Sequence, residues 1–274
     1  MIIDTHVHVV DPERFPVPAG PGYKPQEADR GTIEELTAVH AAHGVTHAVL
    51  VQLSGYGTNN EAVLAGVAAA PLTRRAMIAL QESVTDIELD RYWSAGARGA
   101  RFNTVNLGRL VMKQAQRLIP RIAERGWMVQ IQARPAELSA LAASLYKVAD
   151  RVILDHLGLP NTEIREGLAS VFQLGERGAY IKASGAFRLD HLRKGALDLL
   201  VGELKQVFDP DHWLWGSDWP FVAVNRRPDF RQTLATLDRW FLDPDERAKV
   251  AHGNASRVFF THPEIESARA ASHM

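Results

Sequence analysis

Short, almost continuous apolar runs alternate along the chain with longer stretches in which apolar residues recur at helical spacing. The runs occupy residues 2–10, 47–53, 75–80, 98–103, 127–132, 151–156, 179–184 and 212–217, and each reads as a strand buried on both faces. Helical stretches follow them. The first opens on the capping box Thr32-Ile33-Glu34-Glu35 and stops at Gly44. The next covers 59–70 and is closed by Pro71; a second capping box, Thr85-Asp86-Ile87-Glu88, opens a helix ending at Gly96. Further helices are expected over 113–125, after Pro135, and over 162–176, 190–207, 228–241 and 245–252. Strands alternating with helices in this way imply a parallel sheet with crossover connections. Eight such strands close a (β/α)₈ barrel of the TIM type. A doubly wound open sheet is the alternative, but no GxGxxG follows the first strand. The expectation is one α/β domain over residues 1–262, with a frayed Ala-, Ser- and Glu-containing tail over 263–274.

One stretch breaks the alternation. Residues 11–31 carry Pro12, Pro16, Pro18, Pro21 and Pro25, which forbid a helix. A loop of this length in a compact domain is commonly functional, and this one leaves the end of the first strand. It is expected to wall the active site.

The length of 274 residues suits a single barrel, for which about 250 residues is typical. A formal net charge of -1 gives nucleic acid or an anionic membrane no electrostatic reason to bind. The absence of cysteine excludes disulfides, thiolate nucleophiles and zinc-finger ligand sets, and agrees with a reducing compartment. No apolar run approaches the ~20 residues that cross a bilayer, and Met1 leads directly into a strand without a signal-peptide core. The expected location is the cytoplasm. Oligomeric state is not legible, since the tryptophans form no interface pattern.

Barrels of this kind place their chemistry at the carboxyl ends of the strands. His6 and His8 stand at the end of the first, and residues i and i+2 of an extended chain point to one side. They can converge on a metal ion or a substrate oxygen. Ser54, Tyr56 and Asn60 follow the second strand, and Arg101 and Asn103 end the fourth. Gln132 and Arg134 end the fifth, Asp155 and His156 the sixth, and Lys182 and Ser184 the seventh, with Arg188 beyond; Asp218 follows the eighth. Taken singly, each has a packing explanation. His156 could bond a core carbonyl, Asp218 could cap a turn, Arg101 could form an ion pair and Lys182 could stretch to solvent. Asp4 and Asp155 read as supports. His40, His43, His191, His212, His252, His262 and His273 read as surface or structural residues. Polar residues at one end of nearly every strand do not follow from packing, because buried polar groups are costly unless paired.

The segments DTHVH, LDHLG, GSDWPF and GNASRVF, with VQLSGYGTNN, GARGARFN and IKASGAFR, resemble the amidohydrolase superfamily over essentially the whole chain. Within it they are similar to the branch of 2-pyrone-4,6-dicarboxylate hydrolase and related sugar and muconolactone lactonases. The resemblance implies a distorted (β/α)₈ barrel and hydrolysis of a lactone ring in a small, acidic substrate. Metal-rich members carry a bridging lysine or glutamate on strand four and a histidine on strand five; Arg101 and Gln132 stand there instead. A two-metal site is therefore not implied. His6, His8, His156 and Asp218 could hold one zinc ion, whereas the dicarboxylate hydrolase resembled here works without metal, and no required cofactor is the preferred expectation.

In the expected mechanism Asp218 takes a proton from water, with its pKa raised by desolvation, and later protonates the leaving oxygen. His6, His8 and His156 polarise the carbonyl. Arg101, with Arg134, Arg188, Arg226 or Arg227, holds the substrate carboxylate. Tyr23, Ser54, Tyr56, Asn60, Gln132 and Lys182 are further candidate contacts. The alternatives are a zinc-dependent decarboxylase or hydrolase of the same superfamily, and a barrel that binds a small acid without turning it over.

Overall fold

A computed structural model describes residues 1–19, 23–159, 168–189 and 195–261. Its eight strands are β1 (Ile3–Val7), β2 (His47–Val51), β3 (Arg74–Ile78), β4 (Ala97–Asn103), β5 (Met128–Gln132), β6 (Val152–Leu154), β7 (Tyr180–Ala183) and β8 (Trp213–Trp215). They pair in parallel in chain order, β1 to β8. Between β8 and β1 the chain beyond the strands closes the ring: Asp218 N donates to His6 O at 2.8 Å and His8 N to Trp219 O at 2.8 Å. The result is the expected (β/α)₈ barrel, nearly closed.

Helices α1 (Ile33–Ala42), α2 (Glu61–Ala68), α3 (Asp86–Ser94), α4 (Thr104–Glu124), α5 (Pro135–Leu145), α6 (Leu168–Glu176), α7 (Ala196–Leu204), α8 (Phe230–Trp240) and α9 (Pro244–Ala248) lie among these strands in sequence. Both capping boxes form: Thr32 Oγ1 accepts from Glu35 N at 3.2 Å while Thr32 N donates to Glu35 Oε2 at 2.8 Å, and Thr85 and Glu88 repeat the exchange. Helix α4 begins at Thr104 and not near Lys113. Asn106 and Gly108 are poor helix formers and disguise its first turns in the sequence. The expected helix starts near 162 and 190, the residues His191, His262 and His273, and the tail over 263–274 lie outside the described residues. No helix among the described residues is long and apolar enough to cross a membrane.

The larger apolar cluster packs helices against the sheet, while Ile3, Val49, Val51, Met77, Met128, Ile153 and Leu214 form a second cluster with Ala255, Phe259 and Phe260. Strand periodicity ties this second cluster to the chemistry. The face that carries Met128 next carries Gln130 and Gln132; that of Ile153 carries Asp155; that of Leu214 carries Gly216 and Asp218. An apolar layer thus gives way to a polar layer toward the carboxyl ends of the strands.

Candidate active site

Four side chains from three places in the chain meet at the carboxyl end of the barrel. His6 and His8 come from β1 and its extension, His156 from the turn after β6, and Asp218 from the turn after β8. Nε2 of His6 and of His8 lie 3.8 and 3.7 Å from Asp218 Oδ1, and His156 Nε2 lies 3.9 Å from Oδ2. These separations are too long for hydrogen bonds. His6 Nε2 and Asp218 Oδ1 are buried and have no hydrogen-bond partner. Such orphans are costly in an interior and mark the place where another atom belongs.

The backbone is bent to achieve this. His156 and Asp218 adopt φ of 51° and 65°, a left-handed conformation uncommon for residues other than glycine and a recurrent mark of functional positions. Two glycines make room. A Cβ on Gly185 (φ +65°) would stand 2.6 Å from His156 Nδ1, and one on Gly216 would stand 2.7 Å from His6 Cβ.

His8 Nδ1 lies 2.7 Å from Val51 O. A carbonyl can only accept, so Nδ1 carries the proton and Nε2 of the neutral ring presents a lone pair to the centre. Burial, then the nearby Arg101 charge, pushes the His8 pKa down to about 3. Burial likewise pushes His156 down to about 4, although Asp218 and Asp155 oppose it, and holds His6 well below its usual value despite Asp155. All three rings are neutral at neutral pH. Asp218 differs from expectation. Burial alone would raise its pKa, but Arg188 Nε donates to its Oδ2, and this guanidinium, the largest opposing cause, holds the carboxyl below the usual carboxylate range.

A charged layer lies against the imidazoles. Asp155 Oδ1 is 3.2 Å from His6 Nδ1, and Asp155 accepts from Gln130 Nε2 at 2.8 and 3.0 Å and from Arg101 Nε at 3.3 Å. Lys182 is fully buried there and donates to Thr5 O at 2.9 Å; it does not stretch to the substrate side as its strand-end position suggested. Arg101 also donates to Gln52 O at 3.0 Å and to Gln132 Oε1, which uses three of its five N–H groups. It lines a cavity of about 70 Å³ together with Ser54 and Asn103.

Other predicted contacts are placed otherwise. Asn60 clamps the chain after β3, donating to Ala79 O at 2.8 Å and accepting from Ala79 N at 2.9 Å, so its amide is committed to the backbone. Tyr56 is buried, and its hydroxyl accepts from Asp11 N at 3.1 Å. Arg134, at the start of α5, is largely exposed and faces Glu137 at 3.4 Å. Arg226 lines a separate cavity of about 390 Å³ with Gly185, Gln232, Thr236 and Arg239. None of the four central side chains lines that cavity. Ser54 Oγ accepts from Asn103 at 2.6 Å. Tyr23 belongs to the proline-rich wall, where its hydroxyl bonds Asp29. Asp29 also accepts from Gln26 N at 2.7 Å and from Ala223 N at 3.0 Å, and so ties the wall to the loop after β8. His40, expected to be structural, sits 3.3 Å from Asp4 Oδ2.

Gln52 and Gln130 were not foreseen. The available signal was parity, since Gln130 shares a strand face with Gln132.

His6, His156 and Asp218 offer ligand atoms all within 4.8 Å of one another, and the His8 lone pair faces the same carboxylate. Nitrogen and oxygen donors of this kind, with orphaned atoms among them, fit one divalent ion.

The amidohydrolase family model matches residues 3–261. The chain belongs to the amidohydrolase family. Over 239 residues this amidohydrolase is 28% identical to a 2-pyrone-4,6-dicarboxylate hydrolase of Comamonas testosteroni, covering 80% of this chain and 76% of that one. It is 26% identical over 273 residues to a 4-sulfomuconolactone hydrolase of Rhizobium radiobacter, covering 93% and 89%. Its fold matches that of a structure described as a probable 2-pyrone-4,6-dicarboxylic acid hydrolase from Acinetobacter baumannii with citric acid bound. The TM-score is 0.82, with 24% identity over 95% of this chain and 99% of that one.

Proposed function

We propose that this amidohydrolase opens the ring of a small, carboxylate-bearing lactone by adding water to its carbonyl carbon. The observation that carries the reading is the facing pair of acceptors, Asp218 Oδ1 and His8 Nε2, 3.7 Å apart and buried. A water molecule donating one hydrogen to each would have its lone pair turned toward a carbonyl resting against His6 and His156. Asp218 takes a proton as the oxygen attacks, and the carbonyl oxygen gathers negative charge. When the ring C–O bond breaks, Asp218 returns that proton to the leaving oxygen, and the product is a hydroxy acid. Proton acceptor and proton donor are thus one group.

Arg188 serves twice in this reading. Its Nε is on Asp218 in the resting site. A substrate carboxylate competing for that guanidinium would draw it off Oδ2 and leave the base stronger. The two remaining N–H groups of Arg101 supply a second contact. The names of the two relatives, both lactone hydrolases acting on acidic compounds, support the substrate class. The reaction is written on this chain's own side chains, with no metal required. One divalent ion would be held by His6, His8, His156 and Asp218 and would supply Lewis-acid polarisation of the carbonyl.

The test is a panel of acidic and neutral lactones followed by proton release, with chelator and with added zinc or manganese. Hydrolysis of a dicarboxylate lactone in chelator is the expected result. Turnover that appears only with metal would move the chemistry to the ion, and binding of acids without hydrolysis of any lactone would overturn the reading.

A further inference from the structure

Lys182 is a buried cation that the proposed reaction leaves unused. Its Nζ has three neighbours: Thr5 O at 2.9 Å, His6 Nδ1 at 3.3 Å and Asp155 Oδ1 at 3.4 Å. An ammonium has three N–H bonds and no lone pair. Three donors therefore meet three atoms that can accept, provided His6 Nδ1 carries no proton. A proton there would set donor against donor and leave one Lys182 N–H buried without an acceptor, which is costly in an interior.

Asp155 is the rival, since its Oδ1 stands 3.2 Å from the same nitrogen and could accept a proton from it. Its needs are met elsewhere, by Gln130 at 2.8 and 3.0 Å and by Arg101 at 3.3 Å. Lys182 Nζ and Asp155 Oδ1 thus compete for His6 Nδ1 at nearly equal distance, 3.3 and 3.2 Å.

We propose that Lys182 is a positioning residue that keeps the proton of His6 on Nε2. The two histidines of DTHVH then face the reacting centre in opposite roles. His8, with its proton spent on the Val51 carbonyl, accepts; His6 donates. The orphaned Nε2 of His6 becomes an N–H aimed at the place where the carbonyl oxygen gathers charge. This catalytic consequence rests on the lactonase reading, whereas the proton's place does not. A metal would need a lone pair at that same Nε2, so Lys182 also weakens the four-residue set as a zinc site.

The experiment is nitrogen-15 NMR of histidine-labelled protein at neutral pH, with the His6 signals identified by their loss in His6→Gln. One-bond coupling to hydrogen at Nε2 is expected, and coupling at Nδ1 overturns the proposal. In Lys182→Met the proton should move to Nδ1, facing Asp155. Zinc measured by calorimetry should then bind at least ~10-fold tighter, and kcat should fall about 100-fold with KM nearly unchanged. A proton that stays on Nε2 in that variant removes Lys182 from the role. If the variant does not fold, the wild-type coupling decides the rivalry: Asp155 can only accept and would hold the proton on Nδ1, so coupling at Nε2 leaves Lys182 as the group that sets it and coupling at Nδ1 overturns the proposal. A wild-type proton on Nε2 with no lactone hydrolysed would leave this assignment standing and refute the functional reading alone.

Discussion

Acid should unfold this protein through its imidazoles before its carboxylates protonate. His8 and His156 have folded pKa values lowered to about 3 and about 4, chiefly by burial. In the unfolded chain each returns to about 6.5. Below that value the unfolded state binds more protons than the native one, so the stability present above pH ~6.5 is lost as pH falls toward the folded values. Each group costs roughly 1.4 kcal/mol per pH unit in that window. Between pH ~7 and pH ~5 the two together remove about 4 kcal/mol, and His6 acts in the same direction. That is a large part of the 5–15 kcal/mol typical of a domain. Asp155 and Asp218, both held low, resist acid until the unfolded carboxylates protonate near pH ~4. Urea unfolding at the two pH values, with the slope unchanged, measures the difference. A loss below about 1 kcal/mol would show that these rings are not neutral and sealed in the native site, and the proton assignments at His8 and His6 would fall with them.

Asp218→Asn should fold normally and lose at least ~100-fold in turnover, since the amide cannot take the proton; near wild-type rates would remove Asp218 from the chemistry. Gly185→Ala places a Cβ against His156 at a positive φ. It should lower the melting temperature and displace the His156 ring signals, and an unchanged histidine spectrum would contradict the packing described. Arg101→Met breaks a buried pair with Asp155 and should cost about 3–5 kcal/mol in chemical denaturation. Its remaining turnover should be weaker on acidic lactones than on neutral ones; equal losses on both would confine Arg101 to a structural role.

The barrel and its central four residues were legible because both depend on short-range rules. Continuous apolar runs mark strands buried on two faces, and the i, i+2 rule sends His6 and His8 the same way. What escaped depends on direction and on partners from other strands. A lysine at a strand end reads alike whether it reaches outward or, as Lys182 does, under a neighbouring strand to Thr5 O. Asn60 reads as a rim residue, and only the chain at Ala79 reveals it as a clamp. The direction of the Asp218 shift was missed for the same reason: desolvation is read from burial, but the opposing guanidinium arrives from the turn after β7.

His6, His8, His156 and Asp218 are exposed by 2% or less, so nothing the size of a lactone meets them until the rim yields. The strands cannot yield without dismantling the ring. Asp29, accepting from Ala223 N, fastens the wall that leaves β1 to the loop that follows β8. Each hydrogen bond in that fastening contributes only about 1 kcal/mol. One carboxylate therefore acts as the button on the enzyme's entrance.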